Sequence, residues 1–126
     1  MQMKITINDS RKINAIQEEF NHIYPYLKLE FFSKPYHSGG SAKKLIKHSA
    51  KTVGECRTVH NKGHVSIMPS MTVTDLEQRF RNTYGLGVQV LRKSGRFWLE
   101  ATVTDSWTLE QQNVQGEVLC VMFPED

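Results

Sequence analysis

The sequence predicts an α+β protein with a ferredoxin-like split βαβ fold, in which one antiparallel sheet carries two helices on one face. Its 126 residues, 39% of them hydrophobic, suit one domain spanning residues 1–126. When the chain is aligned with itself at an interval of 60 residues, residues 5–7 fall on residues 65–67, and Phe20 falls on Phe80. Each copy reads as strand, helix and strand, so we expect two βαβ units.

The first unit covers residues 1–33. Ile5 and Ile7 alternate with polar residues, as in a strand with one buried face. Asp9 or Ser10 is expected to cap the following helix, and Pro25 is expected to end it. The apolar stripe of this helix consists of Ile13, Ile16, Phe20 and Ile23. Residues 27–32 alternate again and predict a second strand.

The second unit covers residues 65–94. Thr72 and Asp75 form a capping box, which predicts where its helix begins. Gly85 suits the left-handed residue that follows a helix. Because sequence does not specify the order of strands, a differently ordered α+β sheet is the alternative to the ferredoxin-like arrangement.

A hairpin is predicted after the second helix. A two-residue turn at Ser94 and Gly95 would return the chain as a strand over residues 97–104, with Leu91 opposite Trp98. On this register, Phe97 and Leu99 share the face that packs on the helices.

A C-terminal extension, residues 95–126, contains this returning strand. Thr108 and Gln111 predict one helical turn with a capping box. The apolar residues 118–123 predict a final strand.

Residues 34–64 form a basic insertion between the units. They hold seven cations and one anion, whereas the rest of the chain holds nine cations and twelve anions. A solvated surface connection explains this bias, because loops are polar for backbone reasons alone. A docking surface for phosphate, nucleic acid or an acidic protein is the alternative, with Lys43, Lys44 and Lys47 as ligand-binding candidates.

The tip of the predicted hairpin is also basic. Lys93 opposite Arg96, with Arg92 adjacent, places three cations near Trp98, which could stack on a base or an aromatic ligand. We favour the alternative that the insertion or a second subunit covers this open sheet face, since large apolar patches are seldom left in water. The interface candidates are Phe32, Leu91, Trp98, Val121 and Phe123.

Cys56, His60 and His64 lie four residues apart and are weak candidates for zinc ligands. We predict no metal site, because Cys56 has no second cysteine close by. A thiol near a helix N-terminus and beside Arg57 would have a lowered pKa, which suggests a nucleophile. A small residue in the insertion's own core is the favoured interpretation of Cys56.

Composition also limits location and chemistry. Two cysteines are too few for a disulfide framework and suit a reducing compartment. The longest apolar run, residues 118–123, is too short to cross a membrane. We therefore expect a cytoplasmic protein without membrane contact. We also expect no cofactor, since the sequence contains neither a nucleotide fingerprint nor a catalytic triad.

Three motifs carry a resemblance. They are T-V-x-D-L-E-x-x-F at residues 72–80, Y-G-L-x-V-Q-V-x-R-K-S-G-x-x-W-L-E at 84–100 and T-D-x-W-T-L-x-x-Q-N at 104–113. The chain resembles a family of small uncharacterised bacterial proteins, best over residues 52–116. The resemblance implies a bacterial, stand-alone domain and transfers no activity or site residue.

These observations predict a small non-enzymatic binding or regulatory module that associates with itself or with a protein partner. The alternative is binding of nucleic acid or a phosphate ligand through the basic insertion and the hairpin tip. A second alternative is a thiol or metal enzyme centred on Cys56.

Overall fold

The structure, a computed structural model, describes residues 3–32, 50–102 and 104–122. Strands and helices are mixed along the chain, which confirms the α+β class. The elements in chain order are β1 (Met3–Ile7), α1 (Ile13–Ile23), β2 (Leu27–Phe32), a 3-10 turn (Gly54–Cys56), β3 (Gly63–Ile67), α2 (Val73–Tyr84), β4 (Gly87–Ser94), β5 (Phe97–Glu100) and α3 (Leu109–Met122).

The strands of the described residues form two antiparallel sheets. One sheet pairs β1 with β3, and the other has the order β2-β4-β5. The single sheet expected of a ferredoxin-like fold is therefore not confirmed. Alternation along a strand specifies which face is buried but not which strand lies beside it. The buried faces of both sheets and of α1 and α2 contribute to one core.

The strand registers pair equivalent residues of the two units. Ile5 pairs with Val65, which is its own counterpart in the second unit. In the other sheet, Leu29 pairs with Val90 and not with Gln89, the residue 60 positions on, so the interval between equivalent residues is 61 here. The two units are thus related by an approximate two-fold axis that passes through both sheets.

The residues just before α1 and α2 are bound in equivalent ways. The amide of Val53 donates to the carbonyl of Arg11 at 2.8 Å, and the amide of Leu109 donates to the carbonyl of Met71 at the same distance. Residues 50–56, which we assigned to the insertion, therefore belong to the first unit. Cys56 correspondingly lies in the main core and not in a core of the insertion.

The helix signals have mixed outcomes. The capping box of Thr72 and Asp75 is confirmed, and Gly85 follows α2 with a φ of 64°. Helix α1 has the expected apolar stripe, but its N-cap is Lys12, without a side-chain hydrogen bond. The prediction of Asp9 or Ser10 as the cap was wrong. Asp9 instead binds side chains that sequence separates from it by about fifty residues.

The register of the hairpin differs from the predicted one. Its turn is Gly95 and Arg96, so Trp98 lies opposite Lys93 and not opposite Leu91. Gly95 adopts a φ of 63°, the left-handed conformation that such turns require. The strand also ends at Glu100, earlier than expected. Phe97 and Leu99 are 65% and 50% exposed, so the prediction that they pack on the helices was wrong.

The C-terminal segment is a helix and not a strand. The capping box of Thr108 and Gln111 is confirmed, but the helix that it begins continues to Met122. A short continuous apolar run such as residues 118–122 occurs both in buried strands and in helices, so its periodicity does not distinguish the two. The prediction of a strand there was therefore wrong for the described residues, and Phe123 lies outside them.

Candidate interaction surface

Helix α3 is attached to the sheet by its inner face. The side chain of Gln112 is fully buried and accepts a hydrogen bond from Arg92 Nη1 at 2.9 Å. Asn113 Oδ1 accepts the backbone amide of Tyr26 at 3.0 Å. A Cβ added to Gly116 would lie 2.7 Å from the Cβ of Tyr26, so this glycine allows the helix to approach closely. These contacts determine which side of α3 faces outward.

The outer face of α3 is apolar. Val114, Val118 and Val121 are spaced by four and three residues, which places them on one side of a helix and opposite Gln112 and Gly116. All three valines are exposed, Val121 to 72%, and the neighbouring Met122 is 66% exposed. The helix is therefore apolar on the side that nothing in the described part of the chain covers.

Strand β5 carries two more exposed apolar residues, on the same sheet as the strands β2 and β4 that α3 contacts. Leu99 pairs with Arg92, and Phe97 shares its side of the strand. Arg92 contacts α3 through Gln112, so this is the sheet face on which α3 lies. The sulfur of Cys120 is 3.9 Å from the carbonyl oxygen of Gly95, which brings the end of α3 to the hairpin turn.

We name these residues together the C-terminal apolar surface. Contiguous exposed apolar patches of more than a few hundred Å² are uncommon on monomeric proteins and mark interaction sites. The surface consists of Phe97, Leu99, Val114, Val118, Val121 and Met122.

The opposite face of the same sheet carries the half-buried Trp98. The amino groups of Lys28 and Lys93 lie 5.3 Å and 5.8 Å from the centre of its ring. Lys28 also forms an ion pair with Glu30 at 3.0 Å. The ring is therefore flanked by cations of the same chain.

The predicted ligand-binding residues do not form one cluster. Lys93 lies at Trp98, but Arg92 points to the other face, 5.6 Å from the ring of Trp107. Arg96 lies in the turn and is exposed, so the expected pair of Lys93 with Arg96 is wrong. Lys43, Lys44 and Lys47 lie outside the described residues.

The predicted interface residues also differ in position. Phe32 is buried and Leu91 is half-buried, so neither offers much surface. Val121 is exposed on α3. The predicted interface candidates did not include Phe97, Leu99, Val114, Val118 or Met122. The 3-4 spacing of the valines was the available signal for the helical members of this group.

Asp9 organises a second polar cluster. Its Oδ1 accepts a hydrogen bond from Arg57 Nη2 at 2.8 Å, and its Oδ2 lies 2.8 Å from His60 Nδ1. The buried Arg57 also donates to the carbonyl of Tyr84 at 2.9 Å. The hydrogen bond from Arg57 is the main cause that lowers the pKa of Asp9, and burial partly opposes it. This cluster links the first unit to the end of α2.

Cys56, His60 and His64 are engaged separately. His60 contacts Asp9, and His64 Nδ1 lies 3.4 Å from the hydroxyl of Thr6. Cys56 is buried, and burial raises the pKa of its thiol, which is the reverse of the predicted lowering. Within the described ranges, no three His, Cys, Asp or Glu side chains are grouped closely enough to hold a metal ion.

No protein-family model, curated protein or solved structure matches this chain. None of the helices in the described segments is both long and apolar enough to cross a membrane.

Proposed function

We propose that this chain is a non-enzymatic binding module that recognises another protein chain through the C-terminal apolar surface. The observation that carries the proposal is the exposed apolar outer face of α3, because water-exposed valines and methionine gain free energy when a partner covers them. Exposed polar residues such as Glu110, Gln111 and Glu117 lie around this apolar centre. An apolar centre with a polar rim is the usual composition of a protein interface.

Comparison of the two units supports the same conclusion. In the first unit, residues 51–53 bind the start of α1 and lead into the short 3-10 turn, Gly54–Cys56. In the second unit, the equivalent segment begins the 14-residue helix α3. The contacts with the helix start need only the first turn of α3, and the exposed valines lie beyond it. The inner face of this additional length packs on β4 and β2, and we assign the binding role to its exposed outer valines.

The resemblance to small bacterial proteins and a cytoplasmic location form part of this proposal. The location is supported by Cys56 and Cys120, which are both free thiols.

Binding of nucleic acid is the second candidate, and the two lysines at Trp98 favour it. Phosphate contacts weaken steeply as salt increases. A filter-binding titration with single-stranded RNA and DNA at two salt concentrations separates this candidate from the first, and absence of saturable binding at low salt would contradict it.

A photo-cross-linking amino acid at Val121 tests the proposed function. The matched control carries the same amino acid at Arg79, which is exposed on α2. We expect one or a few defined protein adducts from position 121 in cells that produce the protein, and none of these from position 79. If position 121 gave no adduct, or the same diffuse adducts as position 79, the proposed function would be wrong.

A further inference from the structure

We propose that the partner is a second copy of this chain, joined by antiparallel pairing of β5 with the partner's β5. This inference rests on the proposed function and names the partner of the same surface. Three features of β5 support it: a free edge, a self-complementary charge pattern and two exposed apolar side chains.

The first feature is the free edge. In the part of the chain that the structure describes, β5 is the outermost strand of its sheet. The amide of Ala101 donates to the carbonyl of Val90 at 3.1 Å, so the backbone groups of Ala101 point toward β4. Because these groups alternate along an antiparallel strand, those of Trp98 and Glu100 point away from β4. They are available to pair with another strand.

The second feature is the charge pattern. Even-numbered residues of β5 have outward backbone groups, so they pair with even-numbered residues of the partner. A two-fold axis at Trp98 brings Arg96, in the turn just before β5, next to the partner's Glu100. Registers centred on Arg96 or on Glu100 would instead place like charges opposite each other, which is unfavourable. Arg96 and Glu100 are both exposed, and neither has an ion pair within the described residues.

The third feature is the pair of exposed apolar residues. In this register, Phe97 lies opposite the partner's Leu99, on the face that also carries α3. These pairs lie at the positions without direct hydrogen bonds, where cross-strand side chains are closest. Phe97 and Leu99, which are 65% and 50% exposed in a single chain, would thus be covered by the partner's strand.

A two-fold axis explains why the partner is another copy. Symmetric dimers use the same patch on both chains, so the patch must complement itself. A strand with opposite charges at its two ends and apolar residues between them satisfies this condition when it is paired antiparallel.

Charge reversal tests the inference. We expect sedimentation velocity to show a dimer for the unchanged chain, and Arg96→Glu and Glu100→Arg each to weaken the dimer by about ten-fold in Kd. The double variant R96E/E100R restores opposite charges and should dimerise as the unchanged chain does. An equimolar mixture of the two single variants should form the mixed dimer.

Arg79→Glu is the matched control, since it makes the same charge change at an exposed position of α2 and should leave the dimer unchanged. Thermal unfolding of each variant verifies that it is folded. A monomer at all concentrations, or a dimer insensitive to both reversals, would overturn the inference. If the chain is monomeric and position 121 cross-links to a different protein, the proposed function is supported and the inference that the partner is a second copy is wrong. If the chain is monomeric and position 121 gives no adduct, both the proposed function and this inference are wrong.

Discussion

Asp9 is the residue whose observed contacts differ most from those that its position in the sequence predicts. Its carboxylate holds both Arg57 and His60, and Arg57 is completely buried. A sequence pattern assigns an aspartate before a helix to the cap, because capping is a local interaction. The contact with Arg57 spans 48 residues and depends on the return of the chain after the insertion, which no local pattern describes.

Stability should depend on pH through Asp9. Its folded-state pKa lies below the ordinary value of 3.8, so the stabilisation is fully present above that value and is lost as pH falls through the folded-state pKa. We expect Asp9→Asn to lower the free energy of unfolding at neutral pH, and the difference from the unchanged chain to shrink below about pH 4. Urea denaturation at a series of pH values measures this. A difference that stays constant down to acid pH would contradict the assigned role.

At the scale of elements, the duplicated units allow a direct comparison of helix starts. Lys12 and Thr72 both have extended backbone angles suited to an N-cap, but only Thr72 supplies a side-chain hydrogen bond. The two residues also make equivalent bridges, to Thr52 and Thr108 respectively. A residue whose side chain can accept a hydrogen bond could therefore replace Lys12 at the N-cap without a change in the backbone angles.

We expect Lys12→Thr to stabilise the protein by about 1 kcal/mol, because it provides the hydrogen bond that α1 lacks. Equilibrium urea unfolding measures the change. The reverse substitution, Thr72→Lys, is the matched control and should destabilise the protein by a similar amount. A loss of stability on Lys12→Thr would show that the two helix starts are not equivalent.

The sequence predicted some elements better than others. Both helices of the repeat and the boxes at Thr72 and Thr108 were predictable, because caps and apolar spacing act within a few residues. The end of α3 was not predictable, because its inner face packs against residues that are far away in the sequence, such as Tyr26. The hairpin register also failed, because Gly95 suits either position of a two-residue turn.

At the scale of the whole molecule, the fold is a symmetric scaffold with an asymmetric addition. The 60-residue interval predicted two equivalent units but not which strands lie next to each other. The pairing of β2 with β4 joins residues that are far apart in the sequence. The equivalent segments at Thr52 and Thr108 are separated by 56 residues, so an alignment without gaps does not match them. The C-terminal apolar surface lies on β5 and on α3, and α3 continues well beyond the length of the 3-10 turn of the first unit.

In a single chain the C-terminal apolar surface is open to solvent, and we expect it to become covered on association. The most direct test is methyl NMR with a paramagnetic co-solute, which broadens signals from exposed groups. In dilute protein, we expect strong broadening for Val114, Val118 and Val121 and little for the buried Val73 and Val90. At concentrations where the protein associates through β5, the methyl groups of Leu99, which are exposed in a single chain, should become protected. Outer valines that are already as protected as Val90 in dilute monomer, or a Leu99 that stays exposed in the associated protein, would contradict this expectation.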